Sequence, residues 1–345
     1  MSSEFRAAAA DDLGSITGLL QSAFNASPDA PFLDRALLNW KYFTPGPDWT
    51  GSRSYVLVQN GVLKGHGCAW PVKVVCEGRT HTALTLIDWV SHKTSPGAGL
   101  AVVRKMASLA DILISIGGSA ATRQMMPRMG FHTVDEQTLY ARVLHPWRQF
   151  RMRPGRKTPR EIARLLRNAR FAAAPRASAG NWTLLRTGAL DPQILADSLP
   201  SDRPASLRCP ALLQYMTQCP GATVELYSLL DAGQPKGYAV VSSVNGQSRI
   251  AEIRLPSREP ADWTCAVAAI VEAALHSPAC ELVAWTSDPR LRAALEANGF
   301  RPRDRRSIFV QDPQGLISSS GRGWDLTMLD EDAAFLNVPE YPFAT

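Results

Sequence analysis

One supersecondary plan occurs twice in this chain, and the repeat limits the folds that the sequence can adopt. A hairpin with a polar turn, a short strand, a helix and a Gly-Phe pair follow one another over residues 60–131 and again over 231–300. The turn glycine precedes the glycine of the Gly-Phe pair by 69 residues in the first copy and by 66 in the second. Two copies within 345 residues predict two similar domains.

A helix precedes the hairpin in each copy. Asp12 stands before a run of apolar residues with helical spacing, and Asp191 with Pro192 begins a second such run. Each copy therefore reads strand, helix, hairpin, strand and helix. This order predicts a fold of the α/β class. Each domain is expected to contain an α+β arrangement with a mixed sheet.

The boundary between the copies is strongly basic. Ten basic residues and one acidic residue lie between Arg148 and Arg176, whereas the whole chain carries a net charge of only +6. Proline and glycine interrupt this stretch. We therefore expect one domain over residues 1–145, a basic and partly helical linker over 146–180, and a second domain over 181–345.

A basic helix is predicted inside the linker. Thr158 and Pro159 supply a cap and a first helical residue. The apolar side of the helix consists of Ile162, Leu165, Leu166 and Ala169. Such a helix in residues 148–176 binds either an anionic membrane surface or RNA phosphates. The alternative, favoured because charge runs are commonly just solvated, is an interdomain helix docked through its apolar stripe.

The sequence also limits location and metal chemistry. No segment approaches the roughly 18 apolar residues of a spanning helix, and acidic residues stand where a signal peptide needs an apolar run. We expect a cytoplasmic protein, peripheral at the inner membrane surface if the linker helix binds lipid. The cysteines are scattered without histidines at ligand spacing, so no metal site is expected.

A strand, a glycine loop and a helix follow one another in the first copy. The apolar run Thr85–Val90 leads into Ser91–Gly99, after which apolar residues recur with helical spacing from Leu100. Glycines let a backbone approach a ligand closely, and the N–H groups at a helix start attract anions. The arrangement suits a pyrophosphate, although glycines before a helix also serve simple tight turns.

This order of elements, ending in Met129-Gly130-Phe131, resembles the GNAT superfamily of N-acetyltransferases. In that family a Gln/Arg-x-x-Gly-x-Gly/Ala loop binds the pyrophosphate of acetyl-coenzyme A. Thr94-x-x-Gly97-x-Gly99 matches its glycines but not its first residue. The resemblance covers about residues 4–145 and, more weakly, about 181–312. It implies two tandem GNAT-like acyltransferase domains joined by a basic linker.

The resemblance also implies the residues that bind the coenzyme and transfer the acyl group. The residues expected to bind the coenzyme are Val90, Thr94, Gly97, Ala98, Gly99 and Leu100. In the family, the strand before the loop splays from its neighbour, and its backbone binds the thioester carbonyl at the position of Val90. Asp88, the one carboxylate on this strand, is the expected catalytic base, and its alternative role is that of a structural acid within the sheet.

Two departures from the family pattern concern catalysis. Many members carry a tyrosine that protonates the leaving thiolate, and this chain has Met126 at that position and Leu295 in the repeat. The second copy also lacks a glycine between Leu255 and its following helix. We therefore expect the second domain to be degenerate and to complete a cleft or support the first, with Glu252 as a weaker candidate acid.

Three functions fit these observations. The first is an N- or O-acyltransferase that moves an acetyl group, or another acyl group, from coenzyme A to a small molecule, a sugar or an envelope precursor. The second is a tRNA-dependent aminoacyl transferase of the tandem-GNAT kind, which the basic linker supports. The third is a noncatalytic coenzyme-binding or scaffold protein, which the departures support. The glycine loop favours the first.

Overall fold

The computed structural model of the chain describes residues 3–47, 49–95, 97–153, 155, 157–317, 323–336 and 342–345. The first half and the connection that follows it contain β1 (Ser3–Ala7), α1 (Leu13–Phe24), α2 (Arg35–Tyr42), β2 (Ser54–Gln59), β3 (Val62–Cys76), β4 (Arg79–Ser91), α3 (Ala98–Met106), β5 (Ile112–Ile116), α4 (Ala120–Met125), β6 (His132–Val143), α5 (Pro146–Met152) and α6 (Pro159–Ala172). The second half contains β7 (Trp182–Thr187), α7 (Pro192–Asp197), β8 (Ala205–Ser206), α8 (Pro210–Thr217), β9 (Thr223–Asp231), β10 (Gln234–Val244), β11 (Gln247–Arg254), α9 (Pro260–Leu275), β12 (Glu281–Thr286), α10 (Pro289–Ala297) and β13 (Arg301–Gln311).

The predicted repeat is confirmed. Apart from the two-residue strand β8, the second half repeats the order of strands and helices of the first half. The glycines that marked the repeat have a shared physical role, because Gly61 and Gly233 in the hairpin turns have φ of +76° and +79°. Gly130 and Gly299, which end helical segments, also have positive φ, at +83° and +76°.

The two halves form one sheet by exchanging their last strands. The strand order is β1-β2-β3-β4-β5-β13-β6-β12-β11-β10-β9-β7, with β8 paired to β3. Strand β13 of the second half therefore lies between β5 and β6 of the first half, antiparallel to both. Strand β6 in turn pairs along its second part with β12. Each half thus depends on a strand of the other for its hydrogen bonds.

An aromatic cluster packs the halves together beside this sheet. Trp40 of α2 stacks on Tyr215 of α8, with ring centroids 5.0 Å apart. Trp70 of β3 and Phe335 near the C-terminus pack against Trp40 at 5.6 Å and 5.1 Å. Trp40 is buried, as is common for large aromatic side chains. These rings join three parts of the chain that are distant in sequence.

The segment 323–336, called here the C-terminal strap, crosses the junction of the halves. Its acidic residues each pair with a base from elsewhere in the fold. The pairs are Asp325 with Arg254 (3.3 Å), Asp330 with Arg208 (2.9 Å), Glu331 with Arg306, and Asp332 with Lys41 (2.5 Å). Backbone carbonyls of the strap also accept hydrogen bonds from Trp70 and Gln137. The strap neutralises bases in both halves at once.

The described residues contain no helix that combines the length and the apolar character needed to cross a bilayer.

We expect Asp330→Asn to destabilise the protein, because Arg208 is buried and would lose one of its two carboxylate partners. Removing one partner of a buried ion pair costs about 3 to 5 kcal/mol, and the lower end applies because Glu252 remains. Urea unfolding followed by circular dichroism measures the change. Asp304→Asn, at an exposed carboxylate of β13, is the control, and equal midpoints for the two variants would contradict the role of the strap.

Candidate active site

The two central strands of the first half diverge before they end. Strand β4 pairs in parallel with β5 only over Ala83–Thr85 and Ile112–Ile114. Beyond Thr85, β4 continues to Ser91, whereas β5 ends at Ile116. The open end of this splay points toward the loop that leads into α3. Backbone groups of β4 are therefore available there to a ligand.

A β-bulge turns the end of β4. The pairing of β3 with β4 shifts between His66 and Cys68, so that Asp88 and Trp89 together face Gly67. Asp88 has φ of +50°, a left-handed conformation that aspartate tolerates better than most residues. The bulge places the Asp88 carboxylate against α2.

Asp88 belongs to a buried charged cluster, called here the Lys41 cluster, together with Lys41, Tyr42 and Asp332. Oδ2 of Asp88 lies 2.6 Å from Nζ of Lys41 and accepts a hydrogen bond of 2.7 Å from the Tyr42 hydroxyl. Lys41 also contacts Asp332 at 2.5 Å. One ammonium between two carboxylates leaves the cluster with a net negative charge. Among the described residues, both polar contacts of the Asp88 carboxylate are made by Oδ2.

The protonation states follow from burial and pairing. Burial raises the pKa of Asp88, but the charge of Lys41 and the hydrogen bonds from Lys41 and Tyr42 outweigh it, and the net pKa is below the ordinary value. Burial lowers the pKa of Lys41, but the two carboxylates raise it further, so Lys41 stays charged. Burial and the neighbouring Asp88 raise the pKa of Tyr42, which keeps its proton.

His66 lies beside this cluster as a neutral, structural residue. Its Nδ1 is 3.2 Å from the carbonyl of Asp88, which can only accept, so Nδ1 carries the proton. Its Nε2 is 3.0 Å from the Ser54 hydroxyl. Burial lowers the pKa of His66 to about 4, against the weaker opposing effect of Asp88. His66 therefore holds the bulge in place and carries no charge at neutral pH.

The loop after β4 is tied to the helix that follows it. Trp89 Nε1 donates to the carbonyl of Gly99 at 2.8 Å, and a Cβ at Gly99 would lie 3.0 Å from the same nitrogen. Gly99 is thus required for the close packing of α3 on β4. A Cβ at Gly97 would meet open space. The two loop glycines therefore have different roles, since only Gly97 faces outward.

Two glycines of β3 that the motif analysis missed set the position of α3. A Cβ at Gly65 would lie 3.2 Å from the carbonyl of Ala98, and one at Gly67 would lie 2.9 Å from side-chain atoms of Val102 and Met106. The bare backbone of β3 lets α3 approach closely. The first turn of α3 is therefore held against the sheet on both sides.

The predicted site residues lie together around this turn, with different exposures. Thr94 is exposed and its hydroxyl bonds to His92 at 2.8 Å, while Leu100 is half-buried. Val90 and Ala98 are buried. Met126, at the family's tyrosine position, is a core residue, and so is Leu295 in the repeat. Sequence reasoning missed Lys41 and Asp332, and the run of acidic residues in the strap was the one signal for the latter.

The corresponding strands of the second half, β11 and β12, also diverge, and a cavity lies where they separate. Strand β11 pairs with β12 only over Gln247–Arg249 and Glu281–Val283. Beyond this point lies a cavity of about 130 Å³, lined by the end of β11, Trp263 of α9, Trp285 of β12 and residues of the strap. Arg258 and Arg290 also line it. The second half therefore keeps the cleft geometry without the glycine loop.

Below this cavity lies a second charged cluster, the Arg208 cluster, which consists of Arg208, Tyr238, Glu252 and Asp330. Arg208 binds Glu252 at 2.7 Å and Asp330 at 2.9 Å, and the Tyr238 hydroxyl donates to Glu252 at 2.5 Å. Burial raises the pKa of Glu252, but Arg208 and Arg254 outweigh it and hold that pKa at about 2. Glu252 is saturated with partners, which makes it a structural acid and not a base.

The two clusters are variants of one arrangement. In each half, a carboxylate on the diverging strand accepts a hydrogen bond from a tyrosine hydroxyl and pairs with a base from the helical region before the hairpin. That base pairs in turn with an aspartate of the strap. The tyrosines come from different elements, Tyr42 from α2 and Tyr238 from β10. The exposures also differ, because the side chain of Asp88 is 10% exposed and that of Glu252 is fully buried. The carboxylate of the first cluster is thus the more exposed of the two.

No family model and no curated protein matches the sequence. Solved structures do match the fold. A tandem GNAT protein from the clavulanic acid biosynthesis pathway is 16% identical, with a TM-score of 0.55, over 90% of this chain and 98% of that one. A GCN5-related N-acetyltransferase from Anabaena variabilis is 12% identical, with a TM-score of 0.56, over 90% and 72%. The N-myristoyltransferase of Saccharomyces cerevisiae with bound myristoyl-CoA is 13% identical, with a TM-score of 0.55, over 90% and 83%.

The chain therefore has the mixed α/β fold of tandem GNAT proteins. The resemblance read from the sequence is confirmed at the level of the fold, including the splay of the two central strands in each half.

The buried His66 predicts an acid-sensitive stability. Its folded-state pKa of about 4 lies below the unfolded value of about 6.5. The unfolded chain therefore binds the proton first as the pH falls. His66 contributes stability above about pH 6.5 and loses it toward about pH 4, with about 2 kcal/mol lost between about pH 7 and about pH 5.

Urea unfolding at these two pH values measures this loss, and His66→Gln, which cannot titrate, should show a loss smaller by that amount. An identical pH dependence in the wild type and in His66→Gln would contradict a neutral buried histidine.

Proposed function

We propose that the protein is an acyl-coenzyme A-dependent N- or O-acyltransferase that uses the cleft of its first half. The donor is acetyl-CoA or another acyl-CoA, and the acceptor is an amine or hydroxyl of a small molecule, a sugar or an envelope precursor. The observation that carries the proposal is the splayed end of β4, which leads through a glycine loop into the N-terminus of α3.

The pyrophosphate of the coenzyme would bind at the first turn of α3. The N–H groups of Gly97 and Gly99 meet no backbone acceptor among the described residues. Such groups at a helix start favour an anion, because the helix dipole adds to their partial positive charge. Thr94 is exposed beside this turn, and Leu100 lies on its other side.

The acyl-pantetheine arm would lie in the splay, where β4 has left its neighbour. Backbone groups near Val90 would hydrogen-bond the thioester carbonyl and the oxyanion that develops from it during attack. The myristoyl-CoA complex with the same fold supports an acyl-CoA donor in this geometry.

Asp88 would orient the acceptor. Its carboxylate is partly exposed, and the net negative charge of the Lys41 cluster attracts an ammonium group. Its lowered pKa makes Asp88 a weak base, so the acceptor must lose its first proton to water. Attack by the neutral amine on the thioester would leave the nitrogen positively charged, and the Asp88 carboxylate would accept one of the protons of that nitrogen.

The leaving thiolate would depart without a dedicated acid. Met126 cannot donate a proton, and the Tyr42 proton is held by Asp88 at 2.7 Å. A thiol with an ordinary pKa of about 8.5 is a good enough leaving group for its thiolate to be expelled and then protonated by water.

We expect Gly97→Glu to abolish coenzyme binding without unfolding the protein. A carboxylate there would repel the pyrophosphate, and its Cβ would meet open space. The measurement is the rise in melting temperature on adding acetyl-CoA, which reports binding to the folded state. Gly188→Glu, at another exposed glycine with open space around its Cβ, is the matched control and should keep the shift.

Two results would contradict this site. The first is a coenzyme shift that persists in Gly97→Glu but is lost in Arg258→Glu, which would move the coenzyme to the cavity of the second half. The second is the absence of any shift with acetyl-CoA, longer acyl-CoA species or free coenzyme A, which would favour the tRNA-dependent or scaffold alternatives.

We expect Asp88→Asn to lower kcat/KM about 100-fold, the lower end for loss of a positioned proton acceptor, while the coenzyme shift stays intact. The assay is acetyl transfer to a panel of amines and amino sugars. Asp111→Asn, at a partly exposed carboxylate beside β5, is the control. The wild-type rate should rise with pH toward the pKa of the acceptor amine, and a plateau above about pH 5 would instead identify Asp88 as the base that removes the first proton.

A further inference from the structure

Helix α6 exposes the apolar side that was expected to dock. Ile162 is 51% exposed and Leu166 is 68% exposed, and Ala169 is exposed one turn further on. The one fully buried residue of the helix is the polar Asn168, at 2% exposure. The prediction that the helix docks through its apolar stripe is therefore wrong.

Polar contacts explain why the helix has this orientation. Asn168 donates to the side chain of Gln149 at 2.7 Å, and Gln149 donates to the buried Glu281 at 2.9 Å. Glu161 binds Arg164 at 2.8 Å on the same inner side. These bonds fix this side of α6 against the protein, with Leu165 of the stripe half-buried, and leave Ile162, Leu166 and Ala169 facing outward.

The neighbouring helix α5 adds to the exposed apolar surface. Trp147 is 60% exposed and stacks on Phe150, and Met152 is 45% exposed. Of the eight large hydrophobic residues exposed in the described chain, four lie within residues 147–166. Such clustering marks an interaction surface, whereas scattered exposed residues do not.

Several arginines surround the C-terminal end of the same helix. Three guanidinium groups lie over the ring of Phe171, those of Arg167 (5.6 Å), Arg301 (5.9 Å) and Arg303 (5.4 Å). A groove of about 770 Å³ lies here, lined by Arg170, Arg301, Arg303 and apolar residues, and no carboxylate is among its described lining residues. A cluster of like charges in a groove attracts an anion.

Arg303 identifies the groove as a binding site most directly. Its Nε and Nη2 atoms are buried, and neither has a hydrogen-bond partner among the described residues. The N–H groups of a guanidinium are spaced to donate two parallel hydrogen bonds to the oxygens of a phosphate group. Burial and the neighbouring Arg167 lower the pKa of Arg303, against a weaker opposing effect of Glu281.

We propose that helices α5 and α6 dock on an anionic phospholipid membrane, with a lipid phosphate in the Arg301/Arg303 groove and the Ile162–Leu166 stripe in the headgroup region. Interfacial helices combine an apolar stripe with flanking basic residues in this way. Trp147 is of the type that anchors at the membrane interface. RNA would be served by the arginines alone and would leave the exposed stripe without a partner. This inference does not depend on the proposed acyltransferase activity.

Co-sedimentation of the full chain with vesicles tests the proposal. We expect binding to phosphatidylcholine vesicles that contain phosphatidylglycerol and no binding to phosphatidylcholine alone. Arg301→Gln/Arg303→Gln should weaken binding about 30-fold, since each basic residue at an anionic surface contributes close to a factor of five. Ile162→Glu/Leu166→Glu should weaken it at least as much, because two charges would enter the headgroup region.

Matched controls and alternative ligands make the outcome decisive. Leu185→Glu, at another exposed leucine, and Arg79→Gln/Arg128→Gln, at exposed arginines elsewhere, should bind vesicles like the wild type, and all variants should melt at wild-type temperature. Vesicle binding that survives both surface variants would overturn the proposal. So would binding of inorganic phosphate or RNA, weakened by Arg301→Gln/Arg303→Gln, without any vesicle binding.

Discussion

The fold depends on bases that are buried in both halves and neutralised by one strap. Lys41 and Arg208 are almost fully inaccessible, and a buried charge without its partner would cost several kcal/mol. Each base has one carboxylate on a diverging strand and a second on the C-terminal strap. The strap therefore completes the charge balance of both halves.

Strand exchange reinforces this coupling. Because β13 supplies hydrogen bonds to β5 and β6, neither half can form its complete sheet from its own residues. The duplicated plan has nevertheless diverged in its clefts. The first half keeps a glycine loop and a partly exposed carboxylate, whereas the second keeps an enclosed cavity above a saturated Glu252. The strap stabilises both halves from their junction, whereas each cleft lies at the end of a diverging strand. The clefts could therefore diverge while the two halves kept a common source of stability.

Local signals predicted the repeated order of elements, because turn glycines and helix caps act over a few residues. They also predicted the strand–loop–helix that holds Gly97 and Gly99. The composition of the Lys41 cluster was beyond such reasoning, since Lys41 and Asp332 are separated by 291 residues in the chain. The orientation of α6 was misjudged for a similar reason. Its apolar stripe suggested burial. The buried hydrogen bond from Asn168 to Gln149 of the neighbouring helix α5 instead fixes the opposite side of α6 against the protein.

The central claim is that the first turn of α3 binds an acyl-CoA. Hydrogen–deuterium exchange of the full chain, with and without acetyl-CoA, tests it directly, because a bound pyrophosphate would occupy the N–H groups of Gly97 and Gly99. The account predicts slower exchange in peptides that cover this turn and the end of β4, with residues 256–263 of the second half unchanged. Protection confined to residues 256–263, or none in either half, would contradict it.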